Sequence, residues 1–487
     1  MKQLGAQDAQ FLHADTENSF ANVATVLIFG PPKRERARLD LESLIEHVRS
    51  RLHMSPIFRR RLVRVPLELD YPYWVNDEHF DVDYHVEYSC LPEPGTWSQF
   101  RRFVSKYHNK PMDMNRPLWE VCLLDGLDAI EGIPRGSFAL ILKAHHAAVD
   151  GATGMQFFAG FSDIDEEGTP ALAVELEPEE TGAAPRTGEM LTRALINNAR
   201  SPIRLMDTLW RVVPGLLPMV LRKLSGGDRE DESFVVPDTR FNRALSPQKH
   251  FDACWFALSD FKRIKSRVEG ATVNDVVLAV CGGALRKYLL AHKDLPHEPL
   301  VAWVPINARP KDGSSGEAIG NQISAMTVPL FTDLETAEDR LAAITRQTRR
   351  SKEAMSGAPA KLLTEMSQHF PAYSMALVTR MIIKGNIFKR LCNVMITNVP
   401  GPQVPLYLKG APCLHQLGLT PIGDGMGLCI GTPSYNGELV FMVISTPLII
   451  PDIDFFVQCL RDSFGELNPT SPSRKRRRRS RQNLHPQ

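Results

Sequence analysis

Residues Phe138 to Gly151 read FALILKAHHAAVDG, an apolar run that delivers two adjacent histidines and then an Asp-Gly turn. The stretch reads as a strand that ends in chemistry. Alternation of side chains along a strand places Leu140, Leu142, Ala144 and His146 on one face, with Ile141, Lys143 and His145 on the other. Only one of the two histidines then looks into a given cleft.

Working outward, Trp119 to Leu124 is a second strand, introduced by Pro117-Leu118-Trp119 and joined to the first by the turn Gly132 to Gly136. Further upstream, Leu4 to Asp15 has helix-like spacing and Val23 to Phe29 is a strand closed by Gly30-Pro31-Pro32. A helix over Leu39 to Arg51 carries Leu41, Leu44, Ile45 and Val48 on one stripe, suited to packing on a sheet. Another helix is expected around Trp97 to Lys110. A helix is also expected after Gly151, burying Met155, Phe158 and Phe161.

Between Asp163 and Pro185 the composition turns acidic, with Gly and Pro, and reads as a linker. Met190 to Lys223 is apolar and Arg-studded, which suits helices packed across two lobes or a basic amphipathic element on a membrane surface. The second half begins near His250. It offers a strand Cys254 to Leu258, a helix from Ser259 with that serine as N-cap, a long helix Thr272 to Leu290, and strands Leu300 to Pro305 and Gln322 to Phe331. Helices over Leu334 to Met355 and Lys361 to Phe388 follow, then a strand Val394 to Thr397 and a turn Asn398 to Pro402. Gly427 to Thr446 alternates as a hairpin across Asn436-Gly437, and Asp452 to Phe464 is the closing helix.

Strands and helices are interspersed in both halves, so the expected class is α/β with two mixed lobes. A chain of 487 residues also exceeds what one core usually supports. The expected division is 1–185 for an N-terminal lobe, 186–249 for a linker and helical crossover, 250–468 for a C-terminal lobe, and 469–487 for a basic disordered tail.

The composition, 43% hydrophobic and 23% charged, is that of a globular protein. The run Ser473 to Arg481 holds seven positive charges and no negative ones, so a formal net charge of +1 less seven leaves the body at −6. No nucleic-acid groove is expected from that balance. Eight scattered cysteines without a CxxC pair suggest reduced thiols in the cytoplasm. No apolar run reaches the roughly 18 to 20 residues of a membrane span, and the N-terminus lacks the apolar core of a signal peptide.

Taken alone, His145-His146 followed by Asp150-Gly151 has three readings: two satisfied histidines at a strand end, a metal site, or a general base. The metal reading suffers because adjacent strand histidines point apart and no second cluster with ligand spacing completes a tetrahedral set. In the third, a neutral imidazole of pKa about 6.5 removes a proton from a hydroxyl that attacks a carbonyl, typically worth about 10² to 10⁴ in rate. No GxSxG elbow supplies an enzyme nucleophile, so a base acting directly on an acceptor substrate is the simpler chemistry.

HHAAVDG resembles the HHxxxDG signature of the acyltransferase superfamily that includes chloramphenicol acetyltransferases, carnitine acyltransferases and peptide-synthetase condensation domains. Further features narrow the resemblance: Pro117-Leu118-Trp119, Asn274-Asp275 in TVNDVVLA, VPIN followed by Arg309, Gly320-Asn321, and Thr397 to Pro402. In this order they look like the bacterial bifunctional wax ester synthase / acyl-CoA:diacylglycerol acyltransferase family, from about Leu4 to about Leu467. The chain departs at Phe20 to Ala24, where members usually carry a Pro-Met-His-Val-Gly-like segment, and at Asn307-Ala308, where Ser-Val is common. The first departure could alter one wall of an acyl or alcohol pocket.

The resemblance implies two lobes of the chloramphenicol-acetyltransferase or condensation-domain kind, with a tunnel between them for acyl-CoA and an acceptor alcohol. It implies His146 as general base, taking the proton of a fatty alcohol or diacylglycerol in a ternary complex, with no metal and no cofactor besides acyl-CoA as substrate. Asp150 is expected to anchor the motif loop by a salt bridge to Arg309, or else to orient His146. His145 is expected to stabilise the loop, and Gly151 to allow a close approach. Asn274 is either an oxyanion donor or an ordinary first-turn helix residue. Pro117-Leu118-Trp119 is expected to be architectural, with Trp119 buried near the site and counted among the residues that shape substrate binding.

A condensation-type transfer from a carrier-protein thioester and a non-catalytic lipid-binding homologue are the alternatives. The absence of a carrier domain in the sequence disfavours the first, and retention of the second histidine and the Asp disfavours the second. Expected partners are acyl-CoA, fatty alcohol or diacylglycerol, a second copy of the chain, and the surface of the inner membrane or a lipid inclusion, met through the basic tail.

Overall fold

The computed structural model describes residues 2–32, 39–149, 160–170, 185–200, 235–307, 323–355, 372, 374, 377, 379–381 and 388–469. In chain order the strands are β1 (Lys2–Gln3), β2 (Asn22–Phe29), β3 (Arg60–Val63), β4 (Tyr73–Asn76), β5 (Val86–Cys90), β6 (Trp119–Asp125), β7 (Phe138–His145) and β8 (His250–Ala257). They continue with β9 (Val301–Asn307), β10 (Ile323–Pro329), β11 (Val394–Pro400), β12 (Tyr407–Leu408), β13 (Ala411–Leu419), β14 (Cys429–Tyr435) and β15 (Glu438–Ser445). The helices used below are α1 (Ala6–Ala14), α2 (Leu41–Arg51), α3 (Trp97–His108), α4 (Leu258–Lys265), α5 (Val273–Ala291), α6 (Ala337–Met355) and α7 (Ile453–Leu467).

Two six-stranded mixed sheets carry the fold, in the orders β12-β13-β2-β7-β6-β5 and β10-β9-β11-β14-β15-β8, beside a small sheet β1-β4-β3. The histidine strand β7 lies inside the first sheet, antiparallel to β2 and β6, and all eight of its residues are buried. Its alternation separates two cores, as the pleat requires. Ala139 and Ile141 join a cluster that also holds Ala253 and Cys254 of β8 and Ile430 of β14, so one core spans the faces of both large sheets. Leu140, Leu142 and Ala144 face a second cluster with Leu44 and Val48 of α2, the stripe expected to cover a sheet.

Sheet membership does not follow chain order. Strand β13 pairs antiparallel with β2, from Cys413 opposite Phe29 to Leu419 opposite Ala24, so the C-terminal part of the chain completes the sheet that carries the histidines. Sequence reading assigned no strand there.

Two local expectations are corrected. Helix α4 begins at Leu258 with Ala257 at the N-cap and no side-chain cap, not at Ser259. Strand β8 turns straight into the helix, and the Leu258 amide is already taken by the carbonyl of Gly437 at 2.8 Å. The turn expected at Asn398 is strand instead, because Asn398, Val399 and Pro400 pair in parallel with Thr432, Pro433 and Ser434 of β14. The Asn436-Gly437 hairpin is as expected, both residues having positive φ (43° and 83°), the geometry of a type I′ turn.

Candidate active site

Strand β7 stops at His145, and His146 opens a turn, so the alternation expected to carry His146 onto the Leu142 face breaks at its last step. Backbone bonds pin the switch. The amide of His145 donates to the Leu118 carbonyl (3.1 Å), that of His146 to the Ala21 carbonyl (2.7 Å), and that of Ala148 to the His145 carbonyl (2.9 Å). The departing segment Phe20 to Ala24 thus lies directly against the histidines, through Ala21 and through Asn22, the register partner of His145.

The His145 ring is fully enclosed. Its Nδ1 accepts the Ala147 amide at 3.1 Å, and its Nε2 lies 3.3 and 3.4 Å from the carboxylate oxygens of Asp15. An acceptor at Nδ1 and a carboxylate facing Nε2 together assign the proton to Nε2. Asp15 also accepts the Ala21 amide at 2.7 Å. Asp15 was not singled out from sequence; the signal was available only as an acidic residue just past a short helix.

His146 lies flat on Phe11 of α1, with ring centroids 3.9 Å apart and planes 7° from parallel. Helix α1 reaches this position because Ala6, Ala9 and Leu12 pack with Leu118 and Ala147 in one small core. Phe11 therefore follows from the expected helix, yet its stacking partner was not legible.

Beneath the motif is a buried polar layer. The Lys143 Nζ is 2.7 Å from Glu120 Oε2 and donates to the carbonyls of Tyr107 (3.2 Å) and Lys110 (3.1 Å). The side-chain Nδ2 of Asn22 donates to the carbonyls of His108 and Lys110, both at 3.0 Å. A cation and an amide thus bond carbonyls at and just past the end of α3, where the helix dipole favours positive charge. Burial lowers the pKa of Lys143 and pushes that of His108 down to about 4, so His108 is a neutral ring that donates from Nε2 to the Asn22 carbonyl at 2.8 Å.

Trp119 is buried framework, as expected of Pro117-Leu118-Trp119. Its indole Nε1 donates to the Phe58 carbonyl at 3.1 Å, and its ring stacks on His85 at 4.4 Å, with Phe58 at its edge. No face of the ring is left for a substrate, since its exposure is 0%. Asn274 sits half-buried in the first turn of α5, behind the Thr272 N-cap. Its neighbour Asp275 is committed to that cap and to the Thr348 hydroxyl at 2.7 Å. Asp150, Gly151 and Arg309, together with the stretch 151–159 where a helix is anticipated, lie outside the described residues. Among the described residues no group of three or more His, Cys, Asp or Glu side chains is placed to hold a metal ion.

Residues 4–277 match the wax ester synthase/diacylglycerol acyltransferase catalytic domain, and residues 319–468 match the C-terminal domain of the same family. An O-acyltransferase of Acinetobacter baylyi is 31% identical over 383 residues, covering 78% of this chain and 79% of that protein. A putative diacylglycerol O-acyltransferase of Mycobacterium tuberculosis is 29% identical over 473 residues, 95% of this chain and 90% of that one. Among solved structures, the wax ester synthase/diacylglycerol acyltransferase of Marinobacter aquaeolei superposes with a TM-score of 0.66 at 25% identity, covering 96% of this chain and 98% of that one. The first condensation domain of a calcium-dependent antibiotic synthetase shares the fold at a TM-score of 0.55 and 15% identity, over 96% of each chain. The α/β fold is shared with these solved structures, and the chain belongs to the wax ester synthase/diacylglycerol acyltransferase family.

Proposed function

We propose that this chain transfers a long-chain fatty acyl group from acyl-CoA to the hydroxyl of a long-chain alcohol or diacylglycerol, giving a wax ester or triacylglycerol. The observation that carries the reading is HHxxxDG, at the buried end of a central strand, within a chain matched to the family over both its parts.

His146 is the general base. Its neutral imidazole takes the hydroxyl proton as the alcohol oxygen attacks the thioester carbonyl. The tetrahedral oxyanion collapses, the C–S bond breaks, and the CoA thiolate leaves and recovers the proton from the imidazolium. The Asn274 amide is assigned to the oxyanion, where loss of such a donor costs roughly 3 kcal/mol. Asp150 and Arg309 are assigned to a salt bridge that holds the motif loop, with Gly151 allowing the close approach. The substrates meet in a tunnel between the lobes. No enzyme nucleophile, metal or further cofactor takes part, because the base acts on the acceptor itself.

Among the described residues no helix is long and apolar enough to cross a membrane. Peripheral attachment to an anionic lipid surface through the arginine run Ser473 to Arg481, and pairing of two copies, complete the proposal.

Thiol release from palmitoyl-CoA, with hexadecanol or dipalmitoylglycerol as acceptor and the product identified by chromatography, tests the reading. His146→Ala is expected to lower turnover by about 10² to 10⁴; full turnover in that variant, or transfer only from an acylated carrier protein, would overturn it. The same preparation, sedimented with anionic liposomes with and without residues 469–487, reads the contribution of the tail.

A further inference from the structure

Two restraints that close around His146 begin at one carboxylate. Asp15 follows α1 in extended conformation, and its Oδ1 accepts the Ala21 amide at 2.7 Å. The carbonyl of that same Ala21 accepts the His146 amide at 2.7 Å. The other restraint runs through His145, whose Nε2 faces the Asp15 oxygens at 3.3 and 3.4 Å and whose Nδ1 accepts the Ala147 amide at 3.1 Å. The backbone is thus held at His146 itself and at the residue after it. Four residues before Asp15, on α1, Phe11 holds the His146 ring.

We propose that Asp15 is a positioning residue for acyl transfer, which fixes the Nε2–H tautomer of His145 and through it the turn that presents His146. The proposal rests on His146 being the base. Its physical content is the number of acceptor oxygens: one Asp15 oxygen accepts from Ala21 while both lie 3.3 to 3.4 Å from His145 Nε2, and an amide replaces one of those two acceptors by an NH₂ donor. In Asp15→Asn, an amide oxygen turned to Ala21 sets its NH₂ against the Nε2–H of His145, donor facing donor, which disfavours the tautomer that leaves Nδ1 free to accept the Ala147 amide. The opposite rotamer sets NH₂ against the Ala21 amide. Either way one restraint breaks.

The test uses the full chain with palmitoyl-CoA and hexadecanol. Asp15→Asn and His145→Gln are each expected to lower kcat by about 10- to 100-fold, since a misplaced catalytic group costs that much, while KM for palmitoyl-CoA stays within about twofold. Because both act on one link, the double variant is expected to lose little more than the worse single variant. Asp15→Glu keeps the carboxylate and is expected to recover most of the activity.

If Asp15→Asn fails to fold, as judged by its thermal midpoint, His145→Gln and Asp15→Glu read the same link. Full kcat in Asp15→Asn, losses that simply add in the double variant, or an Asp15→Glu variant as slow as the asparagine one would each overturn the proposal. His146→Ala is measured alongside. An active His146→Ala enzyme would remove the base reading, whereas an inactive one beside a fully active Asp15→Asn enzyme would remove the positioning role alone.

Discussion

Lys143 is fully enclosed two residues ahead of His145, and it survives there because its ammonium is ion-paired with the Glu120 carboxylate and donates to the carbonyls of Tyr107 and Lys110. Truncating one member of a buried pair leaves an uncompensated charge, which typically costs about 3 to 5 kcal/mol. Lys143→Met is therefore expected to lose about that much in urea unfolding, and a second change, Glu120→Gln, to recover part of it. Equal midpoints for wild type and Lys143→Met would show that the pair contributes nothing. In the sequence, Lys143 reads only as the polar break in an apolar strand. Its role depends on the end of α3, more than thirty residues upstream in the chain. Asp15 is the same kind of case. His145 and His146 were legible as a pair, while the carboxylate that distinguishes them is 130 residues away from His145.

Helix α5 illustrates what an element demands of its glycines. A Cβ on Gly282 would lie 2.7 Å from the Leu330 carbonyl oxygen, a backbone atom that cannot turn aside, and one on Gly283 would lie 2.2 Å from the Ser463 hydroxyl of α7. Both glycines let α5 sit close against its neighbours, at a cost in helix propensity of about 1 kcal/mol each. Gly282→Ala is expected to destabilise by about 1 to 3 kcal/mol despite the better propensity, as overpacking does. Gly465→Ala on the open face of α7, where nothing lies within 4 Å, is expected to gain up to about 1 kcal/mol. Thermal unfolding of the two variants checks the pair, and a stabilised Gly282→Ala would refute the packing argument. Helices α1, α2, α3, α5 and α7 were readable because their apolar spacing is local. Strand β13 was not, since APCLHQLGL has neither a clean alternation nor a β-branched run, and it becomes a strand because β2 offers an open edge.

At the scale of the whole molecule, α3 of the first part of the chain is fastened to β8 and α7 of the second. Trp97 Nε1 donates to Asp252 Oδ1 at 2.8 Å, and Arg101 bridges Asp252 and Asp454, each at 2.8 Å. Burial raises the Asp252 pKa to about 6. A carboxyl with a folded-state value above its unfolded one binds the proton more tightly when folded, so its contribution is full below about pH 4 and is lost as pH rises through about 6. His108 and His250, both held near 4 by burial, act in the opposite sense: their contribution is present above about 6.5 and is lost as pH falls. The difference between wild type and Asp252→Asn removes the histidines from the comparison. Measured by urea unfolding from pH 4 to 8, wild type is expected to lose stability relative to Asp252→Asn as pH rises, with the change complete by about pH 7. A pH-independent difference would show that Asp252 does not titrate in this window.

The sequence by itself determined the α/β class, the strand that carries the two histidines, most helices and the family resemblance, because strand alternation, helix periodicity, turn residues and short motifs are written within a few residues of one another. The tertiary structure alone decided that the histidine strand ends one residue before His146. It decided also that β13 from the C-terminal part completes the histidine sheet, and that Asp15 and Phe11 close on the two rings. Those outcomes depend on hydrogen-bond partners and packing surfaces supplied by segments distant in the chain, and no local pattern encodes them.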